Sequence, residues 1–360
     1  MNKKLIALAV FGACVVPTAM AQTAGPVTLY GRVFETIVSV DAKAGGGNPE
    51  IARRTRIDDQ ASLLGVRGTE DIGGGNKVFF QLETAFKPDQ NDTSFATRNS
   101  GIGMQGGWGS FVIGRWDMPY KVSTYPVDAF GDLTMAGISG VGHDQGNFDR
   151  RDQNVIQYWS PNFAGFAFKV AATANEGKAC TTSATTGSTT CTNPHDTGAN
   201  VTYNHGPLYA FLAYEDHKDP RAAFTKERGY SGGAAFTFGP VKLGGEYERI
   251  KRDAASGENP EDRKEWLASV VWTFAGSNQL IYQHQDSKGA SSTGQNDSGD
   301  CKSDTIGYKY IFSKRTYFIA EYMRTDNKDL ATCSFATTAT FPVKPGNDVR
   351  AAAIGLQHVF

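Results

Sequence analysis

Residues 265–274 read Glu-Trp-Leu-Ala-Ser-Val-Val-Trp-Thr-Phe. The even positions hold Trp266, Ala268, Val270, Trp272 and Phe274, while Glu265, Ser269 and Thr273 stand on the odd ones. A period of two belongs to an extended strand with one face on something apolar and the other in water. The pattern recurs along the chain. Residues 77–86 place Val78, Phe80, Leu82 and Phe86 on one face and Lys77, Gln81 and Glu83 on the other. In 241–251, Val241, Leu243 and Tyr247 oppose Lys242, Glu246 and Glu248, and 304–312 aligns Ile306, Tyr308, Tyr310 and Phe312. Beyond residue 21 no 3.6-residue period is sustained, and no apolar run approaches the ~18 residues of a membrane helix.

The connections alternate in length as regularly as the faces alternate in polarity. Tight turns stand at 71–76 (Asp-Ile-Gly-Gly-Gly-Asn), 106–109, 204–207, 239–240, 275–278 and 313–315. Long polar connections fall at 41–60, 87–96, 119–152, 175–196, 217–227, 252–263, 288–303 and 327–347. The strands left between them are 27–38, 61–68, 77–86, 98–106, 110–118, 153–159, 165–174 and 197–204, then 207–216, 228–238, 241–250, 264–274, 278–287, 304–312, 316–325 and 348–360. That is an even set of sixteen, short-turned at one end and long-looped at the other, which is an up-and-down meander. A soluble sandwich has no reason to segregate its loops in this way. An outer-membrane barrel has one, with short turns in the periplasm and long loops outside. Unpaired sheet edges in lipid cost several kcal/mol per group, so the last strand is expected to close on the first. Sixteen tilted strands enclose a lumen too wide for side chains to fill, and water occupies it.

Composition fits this reading. The chain has 360 residues, 41 glycines and 11% aromatic residues, with formal net charge −1. Its mean hydropathy of −0.37 argues against a helical membrane bundle but does not bear on a barrel. Near-neutral charge gives no reason to expect a nucleic-acid partner. At the N-terminus, Lys3 and Lys4 precede the apolar run 5–16 and the small-residue site Ala19-Met20-Ala21, the pattern of a cleaved signal peptide over 1–21. Residues 22–360 are then a single domain with 34 basic and 37 acidic residues, net −3. Four cysteines remain in it, Cys180, Cys191, Cys301 and Cys333, an even number that in an exported chain favours disulfides. Four allow three pairings; Cys180 with Cys191 would close a short loop and Cys301 with Cys333 would tie two others.

Enzymatic signatures are missing. The six histidines form no His-x-x-x-His pair, and His143, beside Asp144, has no activated nucleophile in its neighbourhood of sequence. The glycines at 45–47 and 73–75 lack the lysine of a phosphate cradle and read as turns. No cofactor is expected.

Particular motifs go further. Val27-Thr28-Leu29-Tyr30-Gly31 opens the mature chain, and 64–75 reads Leu-Gly-Val-Arg-Gly-Thr-Glu-Asp-Ile-Gly-Gly-Gly, running into Val78-Phe79-Phe80-Gln81-Leu82-Glu83. Gly109-Ser110-Phe111, Gly114-Arg115, the block 158–166 (Tyr-Trp-Ser-Pro-Asn-Phe-Ala-Gly-Phe) and the ending Gly355-Leu356-Gln357-His358-Val359-Phe360 complete the set. Over essentially the whole mature chain this resembles the general porins of Gram-negative bacteria, of the group in Neisseria, Bordetella, Burkholderia and Comamonas. The resemblance implies a homotrimer in the cell outer membrane, in contact with lipid and lipopolysaccharide, through which ions and small hydrophilic solutes diffuse passively. It implies that Phe360 is read by the barrel assembly machinery. It also implies an inward-folded third loop, about 119–152, with Asp128 and Asp132 as acidic members of a constriction. Arg32, Arg98 and Arg151, with Arg150 beside the last, match the basic wall across from that loop. One position departs: the family commonly has arginine where this chain has Leu63, which weakens the expected anion preference to a mild one. A solute-specific channel, a barrel enzyme and an adhesin are the competing readings.

Overall fold

A computed structural model describes residues 27–89, 94–131, 134–182, 189–221, 224–254, 260–291, 300–336 and 341–360. The expected signal segment 1–21 and the constriction candidate Asp132 lie outside them. The described residues hold nineteen strand segments: β1 (Thr28–Lys43), β2 (Ile51–Asp59), β3 (Leu63–Gly73), β4 (Asn76–Ala85), β5 (Ser100–Gly106), β6 (Gly109–Asp117), β7 (Arg151–Trp159), β8 (Phe166–Thr173), β9 (Ala179–Thr182), β10 (Thr189–Thr192), β11 (His195–His205), β12 (Leu208–Arg221), β13 (Phe224–Phe238), β14 (Val241–Ala254), β15 (Glu261–Phe274), β16 (Asn278–Ser291), β17 (Cys301–Ser313), β18 (Thr316–Asn327) and β19 (Asp348–Val359). Two short helices, α1 (Pro119–Thr124) and α2 (Gly142–Gly146), lie between β6 and β7.

Neighbours in sequence pair antiparallel throughout the wall, and β1 pairs with β19 from Arg32↔Val359 to Lys43↔Asp348, so the sheet closes. β2 and β3 both pair with β1 and are two pieces of one wall strand, interrupted at 60–62, where Ala61 takes φ 58°. β9 and β10 form a separate hairpin, clamped by the disulfide Cys180–Cys191. The wall therefore has sixteen antiparallel strands. The other disulfide joins Cys301, at the start of β17, to Cys333 in the last long connection.

The strands run further toward the long-loop end than alternation alone indicates. The expected connection 217–227 is mostly strand, β12 reaching Arg221 and β13 starting at Phe224. Likewise β1 continues to Lys43 and its partner begins at Ile51. Residues 51–59 carry Arg53, Arg54, Arg56, Asp58 and Asp59, with no apolar face to read. An antiparallel ladder keeps pairing its backbone groups beyond the apolar belt because each N–H and C=O still needs a partner.

The alternating faces settle inside from outside. Leu29, Ile37, Leu212, Leu243, Trp272, Ile306, Ile354 and Leu356 stand exposed on the outer surface, forming a continuous apolar belt. At the short-turn end Trp272 packs on Phe274 (ring centroids 4.8 Å apart) and Tyr310 on Phe312 (5.0 Å), as an interfacial girdle does. The turn between β3 and β4 needs Gly73, Gly74 and Gly75, whose φ values are 83°, 62° and 77°. Phe360 continues the closing ladder: its N–H donates to the Gly31 carbonyl (3.0 Å) and its carbonyl accepts from the Gly31 N–H (3.2 Å).

Candidate pore constriction

The connection between β6 and β7 folds into the lumen and lies along one half of the wall. α1 seats first, where Asn200 Nδ2 on β11 donates to the Pro119 carbonyl (2.8 Å) and Tyr209 on β12 donates to the Ser123 carbonyl (2.7 Å). The Val127 carbonyl accepts from Ser269 Oγ on β15 (2.6 Å), and the Ala129 N–H donates to Gln283 on β16 (2.9 Å). Phe130 is buried with Phe34, Ile281 and Ile319, reaching from β16 and β18 across to β1. Gly307 on β17 makes room for it, since a Cβ there would lie 2.5 Å from the Phe130 ring. Gln283 and Gln285 both donate to the Ala136 carbonyl (3.0 and 3.3 Å), and Met135 enters a cluster with Val38, Val40, Met323 and Ala351.

A second loop covers the first. Phe335 and Phe341, from the connection between β18 and β19, join the Met135 cluster, and the Ala336 N–H donates to the Met135 carbonyl (2.9 Å). Val141 packs on the Cys301–Cys333 disulfide. The inner loop is thus held between wall and lid.

Beneath it are carboxylates from the inward faces of the wall strands. Glu246, Glu248, Glu265 and Glu321 are all buried. Glu248 accepts hydrogen bonds from the Tyr120 hydroxyl and the His143 N–H (2.9 Å), and Glu321 lies beside the inner loop at Thr134 and Met135. Burial pushes the Tyr120 hydroxyl well above its ordinary pKa, which keeps it a donor. The signal that could have found these groups is their inward position together with Gln283 and Gln285, since an open, watered wall has no need of paired amides.

Asp128 is not where the resemblance puts it. It is 5% exposed, and its carboxylate accepts from the N–H groups of Phe130 (3.2 Å), Gly131 (3.0 Å) and Ile138 (3.0 Å). A carboxylate used by three backbone donors organises the loop tip instead of facing solutes.

The basic residues occupy the other half. Arg32 points inward from β1 and donates to the Ala61 carbonyl (Nε, 3.2 Å) at the break between β2 and β3. Arg98 pairs with Glu83 (2.8 Å), which also accepts from Tyr30, and Arg67 lies over the Tyr30 ring at 4.9 Å. Arg151 pairs with Asp117 (2.8 Å) and donates to Asn99 (2.8 Å). Arg150 bridges Asp152 and Asp196, both at 2.8 Å. Although burial works against its charge, those two carboxylates hold its pKa above the ordinary value. Arg98 therefore stands before the entry to β5 and Arg151 at the start of β7, with β6 between them, while Arg32 projects from β1 and Arg150 lines the mouth. Arg115, which sequence reading leaves unassigned, donates to the Thr97 carbonyl (2.9 Å) in the same group. Arg115, Arg150, Arg151, His195 and Lys218 line a polar cleft of about 430 Å³ at the long-loop ends of β7, β8, β11 and β12. Leu63 points inward and is buried, as its alternation with Arg67 requires.

A profile described as Gram-negative porin matches residues 5–330. The chain belongs to the Gram-negative porin family. The outer membrane porin protein 32 of Delftia acidovorans is 31% identical to this porin over 371 residues, covering 100% of both chains. Among solved structures, the anion-selective porin from Comamonas acidovorans superposes with TM-score 0.78 at 24% identity, covering 93% of this chain and 100% of that one. OmpT of Vibrio cholerae in its trimer form gives 0.69 at 16% identity, covering 94% and 100%. This porin is an outer-membrane channel for passive diffusion. Its short turns face the periplasm and its long loops the exterior.

Proposed function

We propose that this porin is an unspecific, mildly anion-preferring pore for ions and small hydrophilic solutes, working as a homotrimer. The observation that carries the reading is the unequal covering of the lumen wall. The inner loop lies over Glu246, Glu248, Glu265 and Glu321 and leaves Arg32, Arg67, Arg98 and Arg151 along the uncovered half. Fixed positive charge in a narrow, low-dielectric passage raises the local concentration of anions. Pairing of Arg98 with Glu83 and of Arg151 with Asp117 cancels part of that field, and Leu63 contributes none, so the preference is mild. The anion-selective title of the Comamonas structure points the same way.

The trimer is supported by the trimer form of the Vibrio relative and by one feature of the outer surface, an apolar groove lined by Ile37, Ala320, Tyr322, Ala352 and Ile354. Export with removal of 1–21, a part for Asp132 in the constriction, recognition of Phe360 by the assembly machinery and contact with lipopolysaccharide complete the reading.

A short aromatic group favours the solute-specific alternative. Trp159 stacks near Phe79 (6.3 Å) and Trp116 (5.4 Å) on the uncovered half, with Lys169 over its ring at 5.1 Å. Planar-bilayer recording separates the readings. Ohmic steps arriving in threes, with a reversal potential displaced toward chloride in a KCl gradient, support the unspecific anion pore. Cation preference sinks it, and conductance that saturates with one solute favours the alternative.

A further inference from the structure

We propose that the inner loop is pinned to the wall by a bound divalent cation of the zinc class, held by His143, Glu246 and Glu248. One ligand atom from each side chain lies within 4.8 Å of the others, and all three residues are buried. They come from two elements that have no other reason to converge on one point: His143 from α2 of the inner loop and the two glutamates from β14.

One spacing in the group suits two ligands on one ion. His143 Nε2 stands 3.4 Å from Glu246 Oε1, long for a charge-assisted hydrogen bond. Two ligands on one tetrahedral zinc, each at about 2.0–2.2 Å, stand roughly 3.3–3.5 Å apart. Glu246 Oε2 is buried with no hydrogen-bond partner. A carboxylate oxygen left in that state costs several kcal/mol unless a cation takes it up. A cavity of about 10 Å³, enough for one water-sized occupant, adjoins Glu246 and Glu248, with Gly142 and not His143 among its lining residues.

Charge argues the same way. The Glu265 carboxyl lies within hydrogen-bonding reach of Glu248, so three carboxyl groups meet around one cavity. Ser287 donates to Glu265 (2.8 Å), and Arg263 stands 3.9 Å from it. The supporting contacts are those that orient ligands: Ser231 donates to Glu246 Oε1 (2.5 Å), and Tyr120 donates to Glu248. An imidazole with carboxylates suits zinc and its first-row neighbours better than magnesium or calcium, which take oxygen alone.

Bound there, the ion joins loop to wall at one point, and removing it frees the loop to fluctuate in the lumen. The site is independent of the pore's ion preference, because metal content is measured on the folded barrel whatever its selectivity. The experiment takes the full protein folded in detergent, stripped with EDTA, dialysed against ZnCl2 and assayed for metal. One zinc per chain is expected, with affinity lowered at least about tenfold in His143→Gln and in Glu246→Gln. Heat-modifiable migration on a gel checks that each variant folds. X-ray absorption at the zinc edge on the unaltered protein reads the shell directly and needs no variant: one imidazole among oxygen ligands supports the site. Substoichiometric zinc in the unaltered protein, binding equal in both folded variants, or a shell without imidazole overturns the proposal.

Discussion

The two halves of the lumen wall meet opposite fates. From β11 to β19 the inward positions carry Glu215, Glu227, Glu246, Glu248, Glu265 and Glu321, and every one is buried. From β1 to β8 they carry Arg32 and Arg67, which keep contact with the lumen, along with Arg98 and Arg151 from the segments entering β5 and β7. The difference is the inner loop, which lies against the first half and leaves the second bare. The charge a permeating ion meets is therefore set less by how many acids and bases the chain contains than by which of them a loop removes from water. Buried carboxylates act on the loop through hydrogen bonds, while half-exposed guanidinium groups act on the solute through their field.

The comparison can be broken most severely by deleting 127–146. With the acidic half uncovered, conductance is expected to rise about two- to threefold and ion preference to turn toward cations, read as a reversal potential of opposite sign. A chain that folds and keeps its preference would refute the role given to the loop. Next in size, Arg98→Gln combined with Arg151→Gln removes two charges from the bare half. Anion preference is expected to fall by about half, whereas Lys242→Gln, whose lysine sits near Asp128 under the loop, changes it little. Asp128→Asn tests the loop tip. Loss of the charged acceptor for three backbone donors is expected to cost about 1–3 kcal/mol locally, seen as noisier open-channel current with selectivity nearly unchanged. The smallest effects separate the two disulfides. Cys301→Ser with Cys333→Ser releases a cross-link of separation 32 that packs on Val141, worth about 3–4 kcal/mol against unfolding by loop-closure entropy. Cys180→Ser with Cys191→Ser opens a hairpin of separation 11, clear of the inner loop, and is expected to lower thermal stability less and to leave the current trace unaltered.

Much of this was legible before any coordinates. The wall strands and their closure follow from a period of two, because lipid on one side and water on the other select alternate residues, whereas Arg32 was singled out by the family resemblance. Strand lengths were less legible: beyond the apolar belt the ladder is held by backbone bonds alone, and residues 51–59 alternate in nothing that can be read. Asp128 was misplaced for a related reason. A loop acid has the same letter whether it faces solute or caps its own backbone, and only the neighbouring N–H groups decide. Glu246 and Glu248 were correctly placed inside, yet nothing in their alternation distinguishes an inward residue in water from one under a loop.

The sequence by itself thus determined the barrel, its membrane, its sidedness and the number of wall strands, since these rest on local periodicity and on connection length. Tertiary structure alone decided which half of the wall stays in contact with permeating ions and where His143 comes to rest. That decision depends on contacts such as Phe130 with Ile319 and His143 with Glu246, between residues more than a hundred positions apart, for which a one-dimensional pattern has no term.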